Sequence, residues 1–166
     1  MEMGNMDSKK YWALGISDQL MTVIGDALEH CLVAVQGGDS FIPILVGKAQ
    51  AEPTTYMLLA TTSAEEAIAT GRLVVANGTN DLYALAYDGF VDAASLSIPR
   101  SSAINIEAYD RRAARGVRLA LRYRLAASAR SASPIGNLIF VDELQVPTLA
   151  GYGPIVKRYE SLRAEQ

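Results

Sequence analysis

The 166 residues are half hydrophobic and one-fifth charged, with a formal net charge of −3, the profile of a chain that folds around a core without staples. Cys31 is the single cysteine, which excludes an intrachain disulfide and any multi-cysteine metal site and points to a reducing compartment, the cytoplasm. Apolar runs such as Phe41–Val46 are far shorter than the roughly 18–20 residues that cross a bilayer, so no membrane association is expected. Arginines outnumber lysines eleven to four, a hint of a GC-rich bacterial genome.

Polar residues 1–10 read as a mobile tail without a secretory signal, ahead of one domain over 11–166. From Ser17 to Val35 the residues Leu20, Ile24, Ala27, Leu28, Cys31 and Val35 recur at helical spacing, with Gln19, Thr22, Asp26 and Glu29 opposite. Ser17 or Asp18 suits the start and Gly37-Gly38 the end of this amphipathic helix. Phe41–Val46 and Thr55–Thr61 are short runs of β-formers around the polar stretch Gly47–Pro53, and read as adjacent antiparallel strands. Ser63 followed by Glu66 forms a capping box that opens a second helix running to Ala76. The rival reading makes Leu73–Ala76 a strand paired with Leu82–Tyr87.

Leu82–Tyr87 is apolar on both faces, as a central strand is, and Asp88-Gly89 signals a turn after it. Ala103–Tyr109 puts Ile104, Ile106 and Ala108 on one face. Val117–Leu125 puts Val117, Leu119, Leu121, Tyr123 and Leu125 on one face and Arg118, Ala120, Arg122 and Arg124 on the other. The two form a hairpin across Asp110–Gly116. A helix with Arg111, Arg115, Arg118 and Arg122 on one stripe would place Arg124 within the apolar sector of Ala113, Val117 and Ala120, and Leu119 and Tyr123 far outside it, so the strand is preferred. Asn137–Val141 reads as a last strand, and Ile155, Tyr159 and Leu162 as one side of a short C-terminal helix. The sum is an α+β fold: a mostly antiparallel sheet of about six strands with two or three helices packed on it.

Motifs that commit a protein to one chemistry fail on inspection. Gly47-Lys48 has Ile42 where a phosphate loop needs glycine and Ala49 where it needs Ser or Thr. Gly151-Tyr152-Gly153 lacks a third glycine, and Gly15-Ile16-Ser17 lacks the second glycine of a nucleophile elbow. The one histidine, His30, follows Asp26 by one helical turn, a spacing that fits a solvated pair better than a metal site. No cofactor or metal is expected. Carboxylates are the remaining route to acid–base work, and Glu107 and Asp88 are the catalytic candidates of a small enzyme. For Glu107, a cross-strand ion pair is the plainer account; turn chemistry is the plainer account of Asp88.

Charge is unevenly placed. Residues 100–130 hold eight arginines against Glu107 and Asp110, a balance of +6, while the rest of the chain carries −9. Arg118, Arg122 and Arg124 should line one sheet face, with Arg111, Arg112 and Arg115 at the hairpin tip. These six form the candidate binding surface of a non-catalytic binding, adaptor or regulatory protein. Its expected partners are a second copy, as a homodimer, and an acidic protein or anionic ligand; the acidic overall balance disfavours nucleic acid.

Overall fold

The computed structural model describes residues 14–37, 41–93, 98–125 and 132–152. The expected tail over 1–10 and the expected C-terminal helix at Ile155, Tyr159 and Leu162 lie outside these residues. In chain order come α1 (Asp18–Gln36), β1 (Ile44–Lys48), β2 (Thr55–Leu58), α2 (Ala64–Asn77), β3 (Leu82–Ala93), β4 (Ile98–Asp110), β5 (Arg115–Leu125) and β6 (Ala132–Leu144), followed by a 3-10 turn at Leu149–Tyr152. The strands form one six-stranded sheet in the order β2-β1-β3-β4-β5-β6. Every neighbouring pair is antiparallel. The architecture is the α+β class expected from the residue pattern.

Both helices start where their caps dictate. Ser17 Oγ accepts a hydrogen bond from the Leu20 amide at 3.2 Å, and Ser63 Oγ accepts one from the Glu66 amide at 3.1 Å. Each satisfies an amide that the first helical turn leaves unpaired. Leu73–Ala76 lie inside α2, so the strand alternative for them is excluded. β2 and β3 are both antiparallel to β1, and α2 carries the chain between them.

The sheet has two differently covered faces. On one, the stripe Leu20, Ile24, Ala27, Leu28, Cys31 and Val35 of α1 packs on Ile44 and Val46 of β1, Leu82, Ala84 and Ala86 of β3, Ile104, Ile106 and Ala108 of β4, and Val117, Leu119, Leu121 and Tyr123 of β5. On the other, Ala67 and Val75 of α2 pack with Leu45, Leu59, Tyr83, Leu85 and Tyr109. Gly71 permits that close seat: a Cβ there would stand 2.6 Å from Leu85 Cδ1 and 3.0 Å from Leu59 Cδ1. Cys31 is buried, and burial followed by the nearby Asp88 charge raises its thiol pKa to about 12, which makes it an inert core residue.

Asp88-Gly89 is not a turn. β3 runs through it to Ala93, with Asp88 opposite Ile104 and Gly89 opposite Ala103. Local turn propensity loses here to continuous pairing with β4, and Asp88 is held by the Tyr123 hydroxyl at 2.6 Å. The last strand is likewise longer than Asn137–Val141, because Ala132–Ile135 pair with β5 before its register shifts. At the first strand the shift is in the other direction: Phe41 and Ile42 precede β1, which begins at Ile44.

Candidate functional site

Glu107 sits on β4 beneath α2 and is 1 % exposed. Four donors converge on its carboxylate. Arg72 of α2 gives Nε to Oε2 at 3.0 Å and Nη2 to Oε1. Tyr87 donates its hydroxyl to Oε1 at 2.9 Å, and Tyr109 donates to Oε2 at 2.6 Å. Burial alone would raise the Glu107 pKa, but the hydrogen bonds from Arg72 and Tyr109, the Arg72 charge and the Tyr87 hydrogen bond outweigh it and hold the carboxyl below its ordinary value. Burial first, then the Glu107 charge and hydrogen bond, raise the Tyr87 phenol to about 12 and push Tyr109 higher. Such a carboxylate is ionised and fully occupied. A general base needs an oxygen within reach of a substrate proton, and each Glu107 oxygen already accepts two hydrogen bonds.

The expected cross-strand partner of Glu107 is replaced. Arg118 does stand opposite it in register, yet Glu107 pairs with Arg72, which comes from a helix 35 residues earlier. Asp88 is not part of the same constellation. It shares a sheet face with Tyr123 and α1, whereas Glu107 points to the α2 face with Tyr109, so the two candidate carboxylates lie on opposite sides of the sheet.

The six arginines separate into paired and unpaired members. Arg111 donates Nη1 to the carbonyls of Gly78 and Asn80, tying the end of α2 to the hairpin. Arg112 reaches Gln19 of α1 at 3.2 Å and Asp110 at 3.5 Å. Arg115 pairs with Glu143 at 2.8 Å and Arg118 with Asp142 at 3.0 Å. Pairs as exposed as Arg115–Glu143 contribute on the order of 0–1 kcal/mol. Arg111, Arg112, Arg115 and Arg118 thus have partners within the fold, three of them carboxylates. Arg122 and Arg124 have no acidic partner among the described residues.

Those two arginines stand beside a groove of about 450 Å³ lined by Arg124, Ser133, Pro134, Ile135 and Gly136. Arg122 is opposite Ile135 and Arg124 opposite Ser133 in the β5–β6 register, so both side chains lie on the same face of the sheet. A Cβ on Gly136 would lie 3.8 Å from Arg122 Nη2, which places the guanidinium over the groove wall. Arg122 Nε is buried and has no hydrogen-bond partner. A second cavity, of about 140 Å³, lies at the start of α1 between Gln19, Thr22, Lys48, Asp81, Leu82 and Arg112. Its charges are mixed in sign, and neither candidate carboxylate lines it.

Comparison with known proteins adds no family: no family model matches the chain, and neither curated proteins nor solved structures give a significant match. Arg72 is the residue that sequence reasoning missed. It lies in α2 one position after Gly71, the residue that brings the helix close to the sheet. An arginine on the sheet-facing side of a helix, with a strand glutamate flanked by tyrosines, is the pattern that could have indicated it.

Proposed function

We propose that this chain is a non-catalytic binding protein that docks an acidic partner on the β5–β6 groove through Arg122 and Arg124. The observation that carries the reading is the buried Nε of Arg122, without an acceptor and beside a second unpaired arginine. A buried donor left unmade costs about 1–3 kcal/mol. A carboxylate or phosphate bound in the groove would accept from it, and the planar guanidinium suits a bidentate grip on such groups. The alternative, a small enzyme built on Glu107 or Asp88, has less support, because the first carboxylate is saturated and the second lies on the other face.

A fluorescein-labelled hexaglutamate peptide tests this reading. Binding is expected to weaken steeply with added salt and to fall about tenfold in the double variant Arg122→Gln/Arg124→Gln, with the melting temperature not lowered, since the variant removes the unpaired Nε. Equal binding by wild type and variant would return the two arginines to solvated surface.

A second reading, self-association as a homodimer in the cytoplasm, is favoured by the division of charge. β5, which bears Arg118, Arg122 and Arg124, lies next to one edge of the sheet, and the chain outside residues 100–130 carries a balance of −9, so a second copy has acidic surface to offer the groove. Sedimentation at micromolar concentration is expected to show twice the 17.8 kDa chain mass; a species of the chain mass alone would end this reading.

A further inference from the structure

The two edges of the sheet are built differently. The β6 edge carries Pro134, Gly136 at φ +67° and two register shifts against β5, with Asp142 and Glu143 near its end. These are the features by which edges resist pairing with another strand. β2, the other edge, has none of them. Its four residues, Thr55, Tyr56, Met57 and Leu58, are all exposed and uncharged. The Leu59 amide donates to the Pro43 carbonyl at 2.8 Å, so by alternation Tyr56 and Leu58 turn their N–H and C=O groups away from β1 toward the open edge.

Apolar surface gathers at the same place. Among the described residues seven large hydrophobic side chains are exposed, and Tyr56, Met57 and Leu58 are three of them; Ile42 just before β1 and Val33 on α1 are two more. Tyr56 and Leu58 are opposite Val46 and Ile44 and so face the α1 side, while Met57, opposite Leu45, faces the α2 side. Asp26, Glu29 and Val33 fall on one outer stripe of α1. Burial and then the fields of Asp26 and Glu29 raise the Tyr56 phenol pKa, consistent with both carboxylates standing near it. Neither carboxylate has a cationic partner among the described residues. Residues 17–66 contain seven acidic residues against Lys48 alone.

We propose that β2 is a docking edge for an extended basic polypeptide segment, which joins the sheet as a further strand. The outward N–H and C=O groups of Tyr56 and Leu58 supply its backbone hydrogen bonds. Lysine or arginine side chains at alternate positions lay their apolar stems along Tyr56 and Leu58 and bring their charges to Asp26 and Glu29. The intervening apolar side chains cover Met57. Charge selects this occupant over a second β2, because two copies joined at this edge would bring two acidic sides together.

The test uses a labelled, end-blocked hexapeptide of alternating lysine and valine, with alternating glutamate and valine as control, read by fluorescence anisotropy. The lysine peptide is expected to bind saturably and the glutamate peptide not to bind. Leu58→Pro removes an outward N–H while leaving the β1 ladder, and should abolish binding. Asp26→Asn/Glu29→Gln leaves the edge untouched and should weaken binding about five- to tenfold, which keeps the test open if the proline variant fails to fold. Equal binding of both peptides, binding of neither, or an unchanged affinity in the folded variants would overturn the proposal. So would a wild-type dimer that Leu58→Pro converts to monomer, since the edge would then belong to a second copy; a dimer unaffected by Leu58→Pro would leave the proposal standing together with self-association elsewhere.

Discussion

Replacing Arg72 with leucine is expected to destabilise the protein by about 3 kcal/mol at neutral pH, the low end for breaking a buried ion pair, because the Arg72 side chain keeps 41 % exposure while Glu107 keeps 1 %. The loss arises on the glutamate side, where a carboxylate would remain enclosed with two phenols as its only donors. In the wild type, the folded pKa of Glu107 lies below its unfolded value. Its contribution is therefore fully present above about pH 4.5 and is lost as pH falls through the lower, folded value. In Arg72→Leu the opposing contribution of burial prevails, the folded pKa rises above the unfolded one, and an ionised Glu107 costs stability. The deficit should thus be largest at pH 7 and shrink as the solution is acidified and Glu107 takes up a proton. Urea unfolding of both proteins at pH 7 and at pH 4.5 checks this. A deficit that does not change with pH would mean that Arg72 acts by packing. Glu107→Gln in the Arg72→Leu background should recover part of the loss, since a neutral amide can be enclosed at smaller cost.

Leu28→Ala is expected to cost about 2–5 kcal/mol, the range for removing a buried leucine. Leu28 is 4 % exposed and lies mid-way along the α1 stripe, in the cluster that includes β1, β3, β4 and β5. The rigid sheet below can collapse only partly into the space left, which favours the upper half of the range. Thermal and urea unfolding should agree on the loss. An unchanged melting temperature would remove α1 from the cooperative core.

Both predictions rest on elements of unequal legibility. The α1 stripe, the two serine caps and the alternation in β4 and β5 are local patterns, and each of their buried faces can be read within one segment. Asp88-Gly89 misled because turn propensity is also local, while the pairing that overrides it comes from residues about 15 positions later, Ala103 and Ile104. The ends of β3, β4 and β6 were legible only in part for the same reason. Among the site residues, Glu107 was recognisable as unusual for its strand, but its partner was not, because Arg72 meets it only after α2 has crossed the sheet. The arginine stripe was visible as a charge balance. Which arginines are paired depends on Gly78, Gln19, Asp142 and Glu143, brought in from three other parts of the chain.

The seat of α1 also has a consequence for synthesis. The helix is translated before the strands it rests on, and the buried cluster beneath it reaches as far as Leu138, roughly one hundred residues later. At about 5–20 residues per second, its apolar stripe emerges on the order of 5–20 s before the last of its support. During that interval the stripe is a sticky surface on the nascent chain, whereas β3, β4 and β5 follow one another and can pair as they appear. Assembly should therefore begin in the meander and finish with the first helix closing over it, and a ribosome-bound chain halted before β5 is the species expected to recruit a holding chaperone.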